Sequence, residues 1–152
     1  MRIRPANEDD VQTIVSIVLE CDPTSSSQEY ELTKAHTAVS SPSRRTFIGE
    51  IDGDVAGYAS LDLASPTIAE LKRLFVRPEH WGIGLASALL EEAIGTAFAA
   101  GYRSMRLFTP TENVRARRFY EREGWHAGGT SVHDELGVEL TEYRRALGSR
   151  RR

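Results

Sequence analysis

Hydrophobic residues recur along the chain with two different spacings, and these spacings predict its helices and strands. Apolar residues three or four positions apart predict helices that end near Cys21, at about Ala100 and near Glu123, with a weaker one over 28–40. Alternating and β-branched runs predict strands, and Asp52-Gly53 between two such runs indicates a hairpin. The predicted strands cover residues 2–5, 46–51, 55–63, 67–76, 103–109 and 138–145.

The resulting order, β-α-α-β-β-β-α-β-α-β, predicts an α/β (α+β) fold with a mixed sheet. The first half of the sheet is expected to be antiparallel, and the second half to contain a β-α-β crossover. The glycine-rich segment after Trp125 is interpreted as a turn. A length of 152 residues favours one domain, which we assign to residues 1–147, and the basic tail 148–152 is predicted to be disordered.

Composition narrows the classes of partner. The net charge of −3 disfavours nucleic acid, and we see no uncharged apolar run that approaches the roughly 18 residues of a membrane span. The single cysteine, Cys21, excludes an internal disulfide and a cysteine-built zinc site, and is predicted to be a buried structural thiol. The histidines lack metal-ligand spacing, so no metal is expected. A reduced compartment is permitted, and the expected location is cytoplasmic.

The segment between a strand that ends at Val76 and a helix that begins after Gly84 has two properties of an anion site. The free N–H groups of a helix N-terminus attract phosphate, and Gly82 and Gly84 let an oxygen approach the backbone. The spacing matches neither a P-loop nor a dinucleotide fingerprint. A tight turn without any ligand is the alternative interpretation.

This segment resembles motif A of the GNAT N-acetyltransferase superfamily, Gln/Arg-x-x-Gly-x-Gly/Ala, which binds the pyrophosphate of acetyl-coenzyme A. Here the motif is Trp81-Gly82-Ile83-Gly84-Leu85-Ala86, with Trp81 where the family usually has Gln or Arg. The resemblance implies a GNAT-like acyl-CoA N-acyltransferase fold, with acetyl-CoA as the acetyl donor. It also implies that the strand before the loop pairs with the pantetheine arm as with a guest strand. The implied cofactor-binding residues are Leu74, Phe75, Val76, Gly82, Ile83, Gly84, Leu85, Ala86 and Ser87.

A second motif, Asn-x-x-Ala-x-x-x-Tyr-x-x-x-Gly-aromatic, begins at Asn113 and places Asn113, Ala116 and Tyr120 on one helix face. It resembles the family's motif B, which implies that Asn113 hydrogen-bonds the cofactor arm and that Tyr120 faces the thioester sulfur as a cofactor-binding and catalytic residue. A thiol pKa near 8.5 against about 10 for tyrosine makes full proton transfer uphill by roughly 2 kcal/mol, so we expect Tyr120 to act mainly as a hydrogen-bond donor.

Arginines outnumber lysines by 17 to 2, a skew that suits phosphate recognition but also arises from codon bias. Arg115, Arg118 and Arg122 form one stripe, predicted to lie on the helix face opposite Tyr120. We interpret this stripe as a solvated face, with contact to the ribose phosphate of coenzyme A as the alternative.

Glu70 is the best candidate for the general base. It precedes Trp81 by 11 residues, which resembles the spacing of the base in the histone-acetylating branch of the family. Strand alternation predicts that Glu70, Lys72, Leu74 and Val76 share one face. The alternative is that Glu70 only forms an ion pair with Lys72 or an arginine, and the lesser candidates for the base are Asp62, Glu50 and Glu29.

The resemblance implies an enzyme that transfers the acetyl group of acetyl-CoA to a primary amine of a small molecule or peptide, in a direct ternary complex. A backbone N–H near Phe75 or Val76 is expected to meet the charge that develops on the carbonyl oxygen. A protein lysine or N-terminal acetyltransferase and a non-catalytic acyl-CoA sensor are the alternatives, and a homodimer is a further expectation. Residues that would suit a cationic acceptor are Glu29, Glu31, Asp134 and Glu135.

Overall fold

Seven strands form one sheet in the computed structural model, which describes residues 1–22, 27–133 and 137–148. The spatial order is β1-β2-β3-β4-β5-β7-β6, and β4 with β5 is the parallel pair while the other neighbours are antiparallel. This arrangement confirms the predicted mixed α/β fold. The strands are β1 (Arg2–Pro5), β2 (Arg44–Ile51), β3 (Asp54–Asp62), β4 (Ala69–Val76), β5 (Ser104–Pro110), β6 (His126–Val132) and β7 (Glu139–Ala146), and the helices are α1 (Val11–Cys21), α2 (Gln28–Ser40), α3 (Leu85–Ala99) and α4 (Val114–Arg122).

Local signals set the first helix and the first hairpin. The Asn7 side chain accepts a hydrogen bond from the backbone of Asp9, and Asp10 accepts one from the backbone of Asn7, so a capping box starts the helical turn that leads into α1. Between β2 and β3, Asp52 and Gly53 both have positive φ angles, of 52° and 85°, as a two-residue hairpin of this kind requires.

The core has a layer on each face of the sheet. Helix α3 packs its buried leucines, Leu85, Leu89 and Leu90, against one face, where α4 also contributes Tyr120. Helices α1 and α2 cover the other face of β2 to β4. None of the helices within the described ranges is long and apolar enough to cross a membrane. Of the predicted disordered tail, residues 149–152 lie outside the described residues.

The interpretation of the segment after Trp125 as a turn is wrong, because residues 126–132 form strand β6, paired with β7. All seven of its residues are exposed, and Gly128 and Gly129 interrupt any alternation of apolar and polar positions. A strand without a buried face gives no hydrophobic period, so its existence depends on the ladder with β7 rather than on its own sequence.

A bulge in β4 divides the strand into two parts. Leu71 lies opposite Leu61 of β3, whereas Arg73 lies opposite Ser60, so Lys72 is an extra residue. Before the bulge, Leu71 faces the α3 layer; after it, Leu74 and Val76 do. The predicted common face for Glu70, Lys72, Leu74 and Val76 is therefore wrong, because the extra residue exchanges the two faces of the strand.

Candidate functional site

A cleft opens where β4 and β5 separate. The two strands pair over three residues only, from Ala69 opposite Met105 to Leu71 opposite Leu107. Beyond that point a cleft of about 680 Å³ lies between β4, the loop before α3, and α4. The predicted cofactor-binding residues that line it are Leu74, Phe75, Val76, Gly82, Gly84, Leu85, Ala86, Ser87, Asn113 and Tyr120. Ile83 does not line the cleft and is 48% exposed.

The glycine loop forms one end of this cleft. Gly82 and Gly84 have φ angles of +84° and +91°, a region that side-chain-bearing residues rarely adopt. A Cβ added to either residue would meet no described atom within 4 Å, so the space in front of the loop is open. Gly84 is the N-cap of α3, where the first N–H groups of the helix need partners. The loop therefore fits the phosphate cradle that the sequence predicts.

The backbone of β4 offers hydrogen-bonding groups to the cleft at alternate residues. Arg77 N–H donates to the carbonyl of Ala56 at 2.8 Å, and a Cβ on Gly57 would lie 2.6 Å from the carbonyl oxygen of Phe75. Both observations direct the backbone of Phe75 and Arg77 toward β3, so alternation directs the backbone groups of Leu74 and Val76 toward the cleft. The expectation that Phe75 also pairs with a guest strand is not supported by this geometry.

Cys21 lies at the same end of β4. It is half-buried and lines the cleft, rather than being a fully buried structural thiol as predicted. Its Sγ donates to the carbonyl of Val76 at 3.2 Å. Burial raises the pKa of the Cys21 thiol to about 11, so the thiol stays protonated near neutral pH.

Helix α4 forms the opposite wall. Tyr120 is 8% exposed, and its ring packs edge-on against Phe119 and Trp125, with ring centroids 5.2 and 6.0 Å apart. Burial raises the pKa of Tyr120, so the phenol keeps its proton. Asn113 is the N-cap of the helix: its Oδ1 accepts a hydrogen bond from the backbone N–H of Ala116 at 3.1 Å. Its amide nitrogen still has donors to offer a ligand.

Arg115, Arg118 and Arg122, predicted to lie on the helix face opposite Tyr120, are exposed and line the same cleft as Tyr120. At about 100° per residue, Phe119 lies between the arginines and Tyr120 on the helix surface, and Phe119 also lines the cleft. The side that faces away holds Arg117 and Glu121, which both hydrogen-bond the hydroxyl of Tyr143.

The acids next to the stripe are engaged elsewhere. Glu121 accepts a hydrogen bond from the hydroxyl of Tyr143 at 2.7 Å, and Glu123 accepts one from Ser87 Oγ at 2.9 Å. Within the part of the chain that the structure describes, Arg115, Arg118 and Arg122 form no ion pair with a carboxylate. Counting only the described residues, the cleft therefore has three cations without a carboxylate partner along one wall, which favours an anionic ligand.

Glu70 lies outside the residues that line the cleft. Its carboxylate accepts a hydrogen bond from Arg106 Nε at 3.2 Å and one from Lys72 Nζ at 3.4 Å. The side chain is 18% exposed, so water still reaches it. Of the lesser candidates, Asp62 lies 3.8 Å from Arg44, Glu50 is bonded to Arg4, and Glu29 is exposed.

The acids proposed for a cationic acceptor fall into different environments. Glu31 is buried and accepts a hydrogen bond from Arg73 at 2.9 Å, so it is neither solvated nor presented to a ligand. Asp134 and Glu135 lie outside the described residues. Across residues 1–22, 27–133 and 137–148, no group of three or more His, Cys, Asp or Glu side chains could hold a metal ion.

Comparison with known families decides the assignment. The profile described as the acetyltransferase (GNAT) family matches residues 11–125, which include both sequence motifs and both walls of the cleft. This chain belongs to the GNAT family. The recognition made from the glycine loop and from the Asn113–Trp125 motif is thereby confirmed.

GNAT relatives resemble the chain over different lengths. An uncharacterised N-acetyltransferase of Mycobacterium tuberculosis is 34% identical over 89 residues, which are 59% of this chain and 57% of that protein, so the chain matches little more than half of that relative's length. One from Archaeoglobus fulgidus is 28% identical over 133 residues, covering 79% of this chain and 89% of the relative. The solved PaiA N-acetyltransferase of Thermoplasma acidophilum in complex with coenzyme A has the same fold, with a TM-score of 0.75, 21% identity and coverage of 93% and 96%.

Trp81 is where this GNAT protein departs from its motif. The indole Nε1–H donates to the carbonyl of Val76 at 2.7 Å, the same carbonyl that Cys21 contacts. The guanidinium of Arg115 lies 3.5 Å from the centroid of the Trp81 ring. The sequence does not predict this pair, because the two residues are 34 positions apart. The one signal was Trp81 itself, which departs from the Gln or Arg of the motif.

Proposed function

We propose that this chain, as the unit 1–147, transfers the acetyl group of acetyl-CoA to a primary amine of a small molecule or peptide in a direct ternary complex. The observation that carries the proposal is the cleft itself, which joins an open strand edge, a glycine loop before a helix, and a buried tyrosine. When bound, acetyl-CoA supplies a thioester whose acetyl group the amine accepts.

The two ends of the cleft suit the two ends of this ligand. The glycine loop and the arginines of α4 suit the phosphates, because backbone N–H groups and guanidinium groups are the usual partners of phosphate oxygens. The cleft-facing backbone of Leu74 and Val76 suits an amide-containing arm that adds to β4 as a strand. The free amide donors of Asn113 face the same space from α4.

Around the reacting carbonyl, this chain supplies two donors. Because the backbone of Phe75 and Arg77 faces β3, the N–H of Val76 or of Leu74 is the backbone donor that meets negative charge on the acetyl oxygen. Tyr120 donates a hydrogen bond to the departing sulfur. Its raised pKa keeps the phenol protonated, so it acts as a hydrogen-bond donor and not as an acid that becomes ionised.

Glu70, which lies outside the cleft lining but is reached by water, accepts the proton of the substrate ammonium through water. A primary amine with a pKa near 10 is only about one part in a thousand neutral at pH 7, so a base is needed. Arg106 and Lys72 fix the position of the carboxylate. The cytoplasmic location and the homodimer stay predictions.

The proposal is tested by measuring release of the coenzyme A thiol from acetyl-CoA with a panel of small amines, free amino acids and peptides. We expect amine-dependent release with at least one member of the panel. Release with peptides alone would support a protein-modifying enzyme. Tight binding of acetyl-CoA without release with any amine would leave a non-catalytic sensor.

The same assay tests the base. Glu70→Gln is expected to lower turnover at neutral pH, and the loss should shrink at higher pH, where more of the amine is already neutral. Glu91→Gln, an exposed glutamate on α3, is the matched control and should retain wild-type turnover at every pH. A constant ratio of Glu70→Gln to wild type from about pH 6 to 9 would contradict the assignment.

A further inference from the structure

We propose that Arg115, whose guanidinium lies over the indole of Trp81, is the side-chain cation that binds the diphosphate of the donor, in place of the Gln or Arg usually found at position 81. This inference rests on the proposed function, because it names a contact within the same cleft. It assigns Trp81 as a positioning residue and Arg115 as the residue that touches the ligand.

The position of the pair supports this assignment. Trp81 directly precedes the glycine loop on one wall, and Arg115 belongs to the first turn of α4 on the other, so the stack bridges the two walls. Both residues line the cleft together with Gly82, Gly84 and Ser87. A cation is therefore present beside the loop even though the residue at position 81 carries no charge.

Stacking leaves the arginine able to bind phosphate. A guanidinium that lies on an aromatic ring uses its face, while its N–H donors point outward along its edge. Among the described residues, Arg115 makes no hydrogen bond or ion pair that would occupy these donors. The ring also restricts a long side chain, so less conformational freedom is lost when the phosphate binds.

A second contact fixes the ring itself. The indole N–H donates to the carbonyl of Val76 at 2.7 Å, which ties Trp81 to the last residue of β4. The orientation of the ring, and with it the orientation of Arg115, is set by the strand that is expected to carry the pantetheine arm. The position of the cation and the position of the strand edge are therefore linked through one side chain.

The inference is tested by titrating wild type and variants with three ligands: coenzyme A, 3′-dephospho-coenzyme A, and pantetheine, which has no phosphate. We expect Arg115→Leu to weaken coenzyme A and the dephospho form alike, by at least tenfold, and to leave pantetheine unchanged. Arg103→Leu is the matched control, because Arg103 is an exposed arginine that stacks on Phe98 outside the cleft. It should bind all three ligands as the wild type does.

Two substitutions of Trp81 separate the contribution of the aromatic ring that positions Arg115 from the contribution of the Arg115 charge. Trp81→Phe keeps an aromatic ring but loses the hydrogen bond to the Val76 carbonyl, so it should weaken binding by less than Arg115→Leu does, whereas Trp81→Leu should match Arg115→Leu. In the double variant Trp81→Leu, Arg115→Leu the two losses should not multiply, because each removes the same contact.

Several outcomes would overturn the inference. A loss of affinity in Arg115→Leu that is confined to coenzyme A would place Arg115 at the 3′-phosphate, and an equal loss for pantetheine would indicate a structural role. No loss of affinity in Arg115→Leu would also overturn the inference, as would fully multiplicative losses in the double variant. If the wild type binds neither coenzyme A nor its dephospho form, the proposed function itself is refuted. This failure can be told apart from failure of the inference because it is measured on the wild type alone.

Discussion

The two walls of the cleft differ in what they are made of. The wall formed by β4 and the glycine loop presents backbone groups at Gly82 and Gly84, and its larger side chains in the cleft, such as Leu74 and Trp81, are uncharged. The wall formed by α4 presents side chains: a phenol, an amide and three arginines that have no acidic partner among the described residues. The first wall can hold a ligand by shape and backbone polarity, whereas the second adds charge and Tyr120, the proposed hydrogen-bond donor to the departing sulfur.

This difference has a consequence for mutation. A wall made of backbone is altered only by changing the path of the chain, so its sensitive positions are glycines with positive φ. A wall made of side chains can be altered one atom at a time, so its contributions to binding, catalysis and folding can be measured separately. The predictions below use this contrast, beginning with the largest effect.

Gly84→Val should have the largest effect. At a φ of +91°, a β-branched residue has a strained backbone conformation that costs about 2–3 kcal/mol. The loop either bears this strain or moves to relieve it. We expect affinity for coenzyme A to fall roughly thirty- to hundredfold. Gly95→Val, on the exposed side of α3 where an added Cβ meets no described atom, is the control and should retain wild-type affinity. Wild-type affinity in Gly84→Val would mean that the loop does not bind the ligand.

Tyr120→Phe should affect turnover but not binding. The substitution keeps the ring that packs against Phe119 and Trp125 and removes only the hydroxyl, so we expect turnover to fall at least tenfold while affinity for acetyl-CoA holds. Tyr102→Phe is the control, because the Tyr102 hydroxyl bonds to loop carbonyls outside the cleft. Unchanged turnover in Tyr120→Phe would refute the assigned role.

Asn113→Ala should have the smallest effect of the three substitutions. It tests two roles of Asn113, as the cap of α4 and as a donor to the ligand. Loss of the N-cap of α4 should lower the free energy of unfolding by about 1 kcal/mol. Asn113→Ser retains a capping oxygen but no amide donor, so it should unfold like wild type in urea and still bind coenzyme A more weakly. Equal affinity in Asn113→Ser and wild type would limit Asn113 to its structural role.

The features that the sequence predicts well are those whose cause is local. The hairpin at Asp52-Gly53 needs only a few neighbouring residues, and both residues have the positive φ angles that such a turn requires. The glycine loop is equally local, since a strand, two glycines and a helix suffice to define it. The family resemblance added the cleft residues on both sides, and all of the predicted cofactor residues except Ile83 line one space.

The features that escaped prediction depend on contacts between distant segments. The bulge at Lys72 depends on the register of β4 against β3, and no residue type in the sequence indicates it. A helical wheel gives the angles of the arginine stripe on α4, but it does not show that the stripe, Phe119 and Tyr120 all line one cleft. An arginine partner for Glu70 was an open alternative, but its identity as Arg106 follows from the parallel register of β4 and β5, which the sequence does not specify.

The exposed strand β6 has one more consequence, which concerns aggregation. A straight strand at the edge of a sheet is a template on which further chains can add. Here one edge is β1, a strand of four residues that ends at Pro5, and the other is β6, where Gly128 and Gly129 lie within a break in the ladder between Ala127 and Thr130. The sheet thus remains open at both ends without offering a long, regular edge on which an aggregate could grow.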